Sequence, residues 1–384
     1  STSTTGTIDF NGGTNYVFNS FAGNNMIFTN SYNQKSVVTF TNPANTITSS
    51  SGTAGGRSLL NNSTNLTIIF EGNIDIGSST TATSDTIGGV GDWLVKGNIF
   101  STTANSIRGL NKTGSGLLEL RGANSYNGDT VISGGTLLVA TNGSITGSTA
   151  QLSGGTLDVR GTITAVTQTG GTLLVSGTAG ATMVSAGTAT VNVGGAIGST
   201  TINGSLLSVN GNAGDVIVNI GGTLGGSGSV QSLTLNGGTV APGNSPGLLT
   251  AYDLNGSNGT FAFQIGAPTT RGITYDAINV TNLLTLGSNS NFIFEVLDNY
   301  SFSIGDSYDL FNFTSIDAQN FDITKIDIAL PTLNSSDLSW NTSSFTTDGM
   351  VSVVANVPEP SAMQLFGIGL ISLFACRKLN KRNG

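Results

Sequence analysis

Apolar residues along this chain fall in short bursts, with Thr or Ser alternating among them and Gly, Asn or Ser at the breaks. Alternation of period two over such short runs predicts β-strands, and no run sustains the 3.6-residue period of a helix. In the middle of the chain the bursts recur. The motif is Gly135-Thr136-Leu137-Leu138-Val139, then Gly155-Thr156-Leu157-Asp158-Val159 and Gly171-Thr172-Leu173-Leu174-Val175. Weaker copies begin at Gly187-Thr188, Gly204-Ser205, Gly222-Thr223 and Gly238-Thr239, so the glycine marker returns at nearly even intervals from Gly155 onward. A near-constant period of this kind marks a solenoid with one coil per repeat.

In such a coil, inward Leu, Val and Ile stack into ladders and backbone groups pair with the coils above and below. Glycine takes the tight turns through positive φ. The predicted fold class is all-β, a β-helix or β-solenoid over residues 111–250. Residues 1–110 and 251–356 are predicted as β-rich flanks, caps or further coils, because their runs are longer and lack a clean period. Residues 357–384 form a separate terminal segment. One or more β-sandwiches are the globular alternative.

Composition narrows the function. The 384 residues contain no His, which excludes imidazole bases, Ser-His-Asp triads and His-ligated metals. The single cysteine, Cys376, excludes an intrachain disulfide or a Cys-x-x-Cys pair. Charged residues are 9% of the chain and Gly numbers 55, yet 37% is hydrophobic, too much for a disordered chain. The net charge of −8 is uneven. Residues 1–356 hold nine basic and twenty acidic groups, a balance that opposes nucleic acid, while Arg377, Lys378, Lys381 and Arg382 crowd the end. The chain opens at Ser1 without a basic and apolar leader, so a removed export signal is expected.

Candidate chemistry is sparse. Gly88-Gly89-Val90-Gly91-Asp92-Trp93 is similar to a calcium nonapeptide but is not tandem and lacks the spacer before Asp. No phosphate-binding loop occurs, and pieces such as Gly226-Ser227-Gly228 read as turns. Asp298, Asp306, Asp309, Asp317, Asp322 and Asp327 offer carboxylates with only Lys325 nearby; in β-rich sequence they read as turn residues. Sequons at Asn65 and Asn111 follow from the Asn, Ser and Thr content. Phe261, Phe263, Phe292 and Phe294 alternate as core positions do. No catalytic, cofactor-binding or metal-ligating residue is assigned, and no enzyme activity is expected.

Two stretches resemble known families. Lys112-Thr113-Gly114-Ser115-Gly116-Leu117-Leu118-Glu119-Leu120, Gly122-Ala123-Asn124-Ser125-Tyr126-Asn127-Gly128-Asp129-Thr130 and Gly134-Gly135-Thr136-Leu137-Leu138-Val139 resemble the passenger-associated transport repeat of autotransporter β-helices. Ala241-Pro242-Gly243-Asn244-Ser245-Pro246-Gly247, Tyr275-Asp276-Ala277-Ile278-Asn279-Val280 and Gly305-Asp306-Ser307-Tyr308 are similar to segments late in such passengers. The resemblance implies a right-handed β-helix; no translocator-barrel pattern follows, so a passenger-like body is expected rather than a complete autotransporter.

At the end, Val357-Pro358-Glu359-Pro360 precedes an apolar run from Met363 and then Arg377, Lys378, Lys381 and Arg382. This resembles a PEP-CTERM sorting signal, which implies an exosortase-like processing enzyme, export in a Gram-negative bacterium and a short C-terminal hydrophobic helix. Residues 363–376 as helix span about 21 Å against about 30 Å of hydrocarbon, which suits transient membrane contact better than the alternative, a permanent tail anchor. Prolines hold the cleavage segment extended, and the basic cluster stays on the cytoplasmic side. A structural protein of the cell surface or extracellular matrix is expected, with self-association through solenoid ends. The alternatives are an adhesin for extracellular polysaccharide and, behind it, a polysaccharide-acting enzyme.

Overall fold

The computed structural model describes residues 6–19, 25–46, 56–77, 79–102 and 105–356. Most strands between Gly6 and Asp317 belong to one 29-stranded sheet and pair in parallel. Each pairs with a strand one coil further along the chain, so the fold is of the β-solenoid type. The short alternating bursts become strands such as Thr156–Val159, with Leu157 and Val159 buried and Thr156 and Asp158 turned outward.

Inward positions stack in register. Val38, Ile68, Trp93, Leu118, Leu137, Leu157, Leu173, Ala189, Leu207, Leu224, Val240, Phe261 and Phe292 form one buried column. At the spacing of paired strands the column runs roughly 60 Å. Gly155 and Gly171 turn the chain into their strands at φ +71° and +66°, and a Cβ at Gly171 would meet the Gly155 carbonyl at 2.5 Å.

Coil length varies along the rod. The wide coils come first, where Ser36 lies opposite Leu66 and Trp93 opposite Leu118. The coil from Thr136 to Thr156 is shorter, and those from Thr156 to Thr172, from Thr172 to Thr188 and from Thr223 to Thr239 are narrower still and equal in length. The coils then widen again, with Thr239 opposite Thr260 and Thr260 opposite Asn291. One register differs from the glycine spacing: Leu206, not Ser205, stands opposite Thr188. Alternation decides it, because this register sends Leu207 and Val209 inward, whereas the other would bury Ser208.

The chain ends its sheet against a different module. Helices α1 (Thr324–Ala329) and α2 (Phe345–Asp348) bury Ile326 and Phe345. The Phe345 ring meets Phe292 at 5.4 Å and Phe311 at 5.9 Å. Met350–Ala355 is the middle strand of a three-stranded antiparallel sheet, between Ser307–Asp309 and Leu338–Asn341. Among the described residues no helix is long and apolar enough to cross a membrane. The terminal hydrophobic helix expected from the sequence lies outside the described residues.

Candidate functional site

Several of the polar groups that break the apolar interior lie where wide coils give way to narrow ones. Lys112 occupies an inward position between Ile87 and Ile132 and is fully buried. Its Nζ donates to the carbonyl oxygens of Thr113, Gly114 and Gly134, each at 3.0 Å. Burial pushes the ammonium down to about 8, and the charge of Asp92 opposes that shift. Further along the same coil, buried Asn124 donates to Gly122 and Ser144 carbonyls and accepts from the Ile99 N–H. The Tyr126 hydroxyl meets Thr130 Oγ1 at 2.7 Å, and Thr130 meets Ser148 Oγ at 2.8 Å. Burial raises the Tyr126 phenol, with the Thr130 bond opposing. These side chains tie successive coils through polar bonds inside the rod.

Beside them lies a buried ion cluster. Asp85 Oδ2 accepts from Arg108 Nε at 3.0 Å, and Oδ1 accepts from Arg108 Nη2 at 3.2 Å and from the Arg57 backbone N–H at 2.9 Å. Arg57 Nε stands 3.6 Å from the same carboxylate. Desolvation pushes the Asp85 carboxyl up and the Arg57 guanidinium down, and the mutual attraction of the two opposes both shifts.

At the other end of the rod a cavity of ≈ 330 Å³ opens beside the Ala241–Gly247 turn, lined by Phe263, Phe294, Gln264, Asp276 and Glu295. Asp276 accepts from the Gly247 and Gln264 N–H groups at 2.6 and 2.7 Å; burial nevertheless lifts its carboxyl to about 6. Phe261, Phe263 and Phe292 are core, while Phe294 is half-buried at the cavity wall.

The acidic candidates do not converge. Asp306 accepts from Tyr300 Oη and the Ser303 N–H, Asp309 pairs with Arg271 at 3.2 Å, and Asp322 accepts from the N–H and hydroxyl of Thr324. Asp327 accepts from Thr342 Oγ1, and the Lys325 ammonium donates to the Ser288 carbonyl. Asp298 sits in a single turn of 3₁₀ helix at φ 50°, and Asp317 accepts from the Gln319 N–H. In the glycine-rich segment Asp92 accepts from the Leu117 N–H and Trp93 Nε1 donates to the Gly88 carbonyl, so the segment couples coils. Among the described residues no group of three or more acidic or sulfur side chains is placed to hold a metal.

Two family models match the chain, one of them over the coil that holds Lys112. A family model described as passenger-associated-transport-repeat matches residues 110–139, and one described as PEP-CTERM protein-sorting motif matches residues 356–378. The chain carries a passenger repeat and a sorting motif. It is an exported, surface-associated protein, and its motif implies processing by an exosortase-like enzyme. No curated protein matches it. The passenger repeat contains Lys112, Asn124, Tyr126 and Thr130, the buried polar groups of the coil where the rod narrows. Val357, Pro358, Glu359, Pro360, Arg377, Lys378, Lys381 and Arg382 lie outside the described residues, with Lys381 and Arg382 also beyond the matched span. The described body ends at Asn356, whose N–H and Nδ2 donate to the carbonyls of Asp337 and Ser336 at 2.6 and 3.0 Å.

Proposed function

We propose that the chain is a non-catalytic structural rod of the cell surface or extracellular matrix of a Gram-negative bacterium. The observation that carries this reading is the parallel sheet running from Gly6 to Asp317, attached to a sorting motif. Its coils are right-handed, as parallel crossover connections almost always are. Residues 111–250 form the repeat body, with 1–110 and 251–356 as its flanks and 357–384 as the sorting segment. The basic cluster holds residues 363–376 in transient membrane contact until an exosortase-like enzyme acts. Self-association proceeds through the first coil, where Val17 and Phe18 are exposed, since α1, α2 and the antiparallel sheet cover the last one. The protein requires no cofactor and binds no nucleic acid.

Two variants test the sorting half. Replacing Pro358, Glu359 and Pro360 with Ala is expected to leave a full-length species in the inner membrane, because the segment then continues as helix. Neutralising Arg377, Lys378, Lys381 and Arg382 is expected to release a full-length product, because the charges that retain the tail are gone. Cell fractionation with intact-mass measurement reads both; normal surface display of both variants overturns the proposal. A second reading, binding of extracellular polysaccharide, is favoured by a cleft on the outer face of the narrowing coils.

A further inference from the structure

Charge on the outside of the rod is not spread evenly. Four basic residues of the described body are exposed, Lys35, Lys96, Arg121 and Arg160; the last three share one outward column and are paired with Glu71, Glu119 and Asp158 respectively. The backbone fixes that column: the N–H groups of Arg121, Ala140 and Arg160 donate to the carbonyls of Val95, Leu120 and Val139, one coil back each time. Arg121 and Arg160 are therefore two coils apart, roughly 10 Å, with only the methyl of Ala140 between them.

That missing side chain makes a cleft. A cavity of ≈ 400 Å³ lies between the two guanidinium groups, lined also by Glu119, with Leu138, which stands in register between Glu119 and Asp158, as its floor and Thr141 and Asn142 on the loop beside it. Arg121 Nε donates to Glu119 Oε1 at 2.6 Å, and Arg160 donates from Nε and Nη2 to Asp158 Oδ2 at 3.0 and 2.8 Å. These bonds aim the arginines while leaving both Nη groups of Arg121 and Nη1 of Arg160 to solvent. Planar forks held this way suit a carboxylate or sulfate, which accepts two N–H bonds at once. Further along the same column stand Ser176, Asn192 and Asn210, where Asn192 Nδ2 donates to Ser176 Oγ at 2.9 Å. Hydroxyl and amide groups repeat there at the spacing of the coils.

We infer that the Arg121–Ala140–Arg160 cleft binds a carboxylated polysaccharide, one carboxylate seated over Ala140 between the two arginines and the sugar ring lying on Leu138. The neighbouring sugars run along the Ser176–Asn192–Asn210 column and exchange hydroxyl bonds with it. Glu119 and Asp158 balance the two arginines, so the strip has no net positive charge and the carboxylate is held by the guanidinium N–H groups that those partners leave free. The inference deepens the second reading of function and is independent of sorting, because it concerns the purified chain.

The test uses the purified full chain with polygalacturonate as probe and neutral dextran as control, read by calorimetry. The parent is expected to bind polygalacturonate and not dextran, with affinity falling as salt rises. Arg121→Gln with Arg160→Gln, and separately Ala140→Phe, are each expected to weaken binding at least about tenfold, the equivalent of one lost charge-assisted bond. Circular dichroism checks that each variant keeps the parent fold; should the Phe variant fail to fold, the Gln pair, which changes only exposed groups, decides alone. Absence of binding by the parent, equal binding of dextran, or unchanged affinity in a folded variant overturns the inference. Failure here leaves the sorting experiment untouched.

Discussion

The coils between Thr156 and Thr239 and those before Lys112 share one sheet but solve different packing problems. A narrow coil is filled mostly by inward Leu, Val, Ile and Ala, with Gln168, Thr182 and Thr200 as its buried polar residues, and Thr156, Thr172 and Thr188 repeat along its edge. The wide coils enclose more space and fill it with rings: Phe40 and Phe70 stack at 5.0 Å, and Phe70 and Trp93 at 6.3 Å. They also enclose Arg57, Asp85 and Arg108, and Lys112 closes the series. A narrow coil gains uniqueness from repetition, whereas a wide one needs specific side chains in specific places.

The comparison can be broken from the narrow side first. Leu173→Asp places an unpaired carboxylate between Leu157 and Ala189, where both neighbours are locked by the ladder. Loss of several kcal/mol and of cooperative melting is expected; a melting temperature equal to the parent's would refute the register. On the wide side, Arg108→Ala leaves Asp85 with Arg57 alone of its two arginines and is expected to cost about 3–5 kcal/mol. Denaturant unfolding measures it, and a cost below about 1 kcal/mol would mean that the cluster is solvated.

Lys112 sharpens the comparison through pH. Its folded value, about 8, lies below the roughly 10.4 of an unfolded lysine, so between these the unfolded chain binds more protons. Parent stability should therefore rise from about pH 8 to about pH 10.4 relative to Lys112→Met, by at most about 3 kcal/mol. A constant difference between the two proteins across that window would show that the three carbonyls keep the ammonium fully charged. The smallest effect belongs to the narrow turns. Val193, 84% exposed, can become Asn with a change within about 0.5 kcal/mol, read by the same denaturant unfolding.

These differences also set what was legible in the sequence. The Gly-Thr-Leu copies could be read because constant coil length keeps equivalent residues at a constant spacing. Ser205 misleads because the glycine marker and the apolar alternation disagree there by one position, and burial of Leu207 prevails. Lys112 was readable in principle: Leu110 and Lys112 share a face by alternation, and Leu110 is core. Charge argued for the outside, and the carbonyls that satisfy it come from Gly114 and Gly134, whose proximity only the fold reveals. The Arg121–Arg160 cleft was hidden for the same reason, since its members are brought together by coils of unequal length. Helices α1 and α2, six and four residues long, are too short to leave a period.

The strand Met350–Ala355 has a mechanical consequence. It is the last element before the sorting segment, and it is bonded on both flanks in antiparallel register, to Ser307–Asp309 and to Leu338–Asn341. A pull on the chain from its C-terminal side runs along this strand, so its cross-strand bonds are loaded together in shear instead of being peeled one after another. The force then spreads into two neighbours, one of which, Ser307–Asp309, leads directly into Phe311–Asp317 of the last coil. A tether attached there would meet resistance before any coil of the rod could unwind.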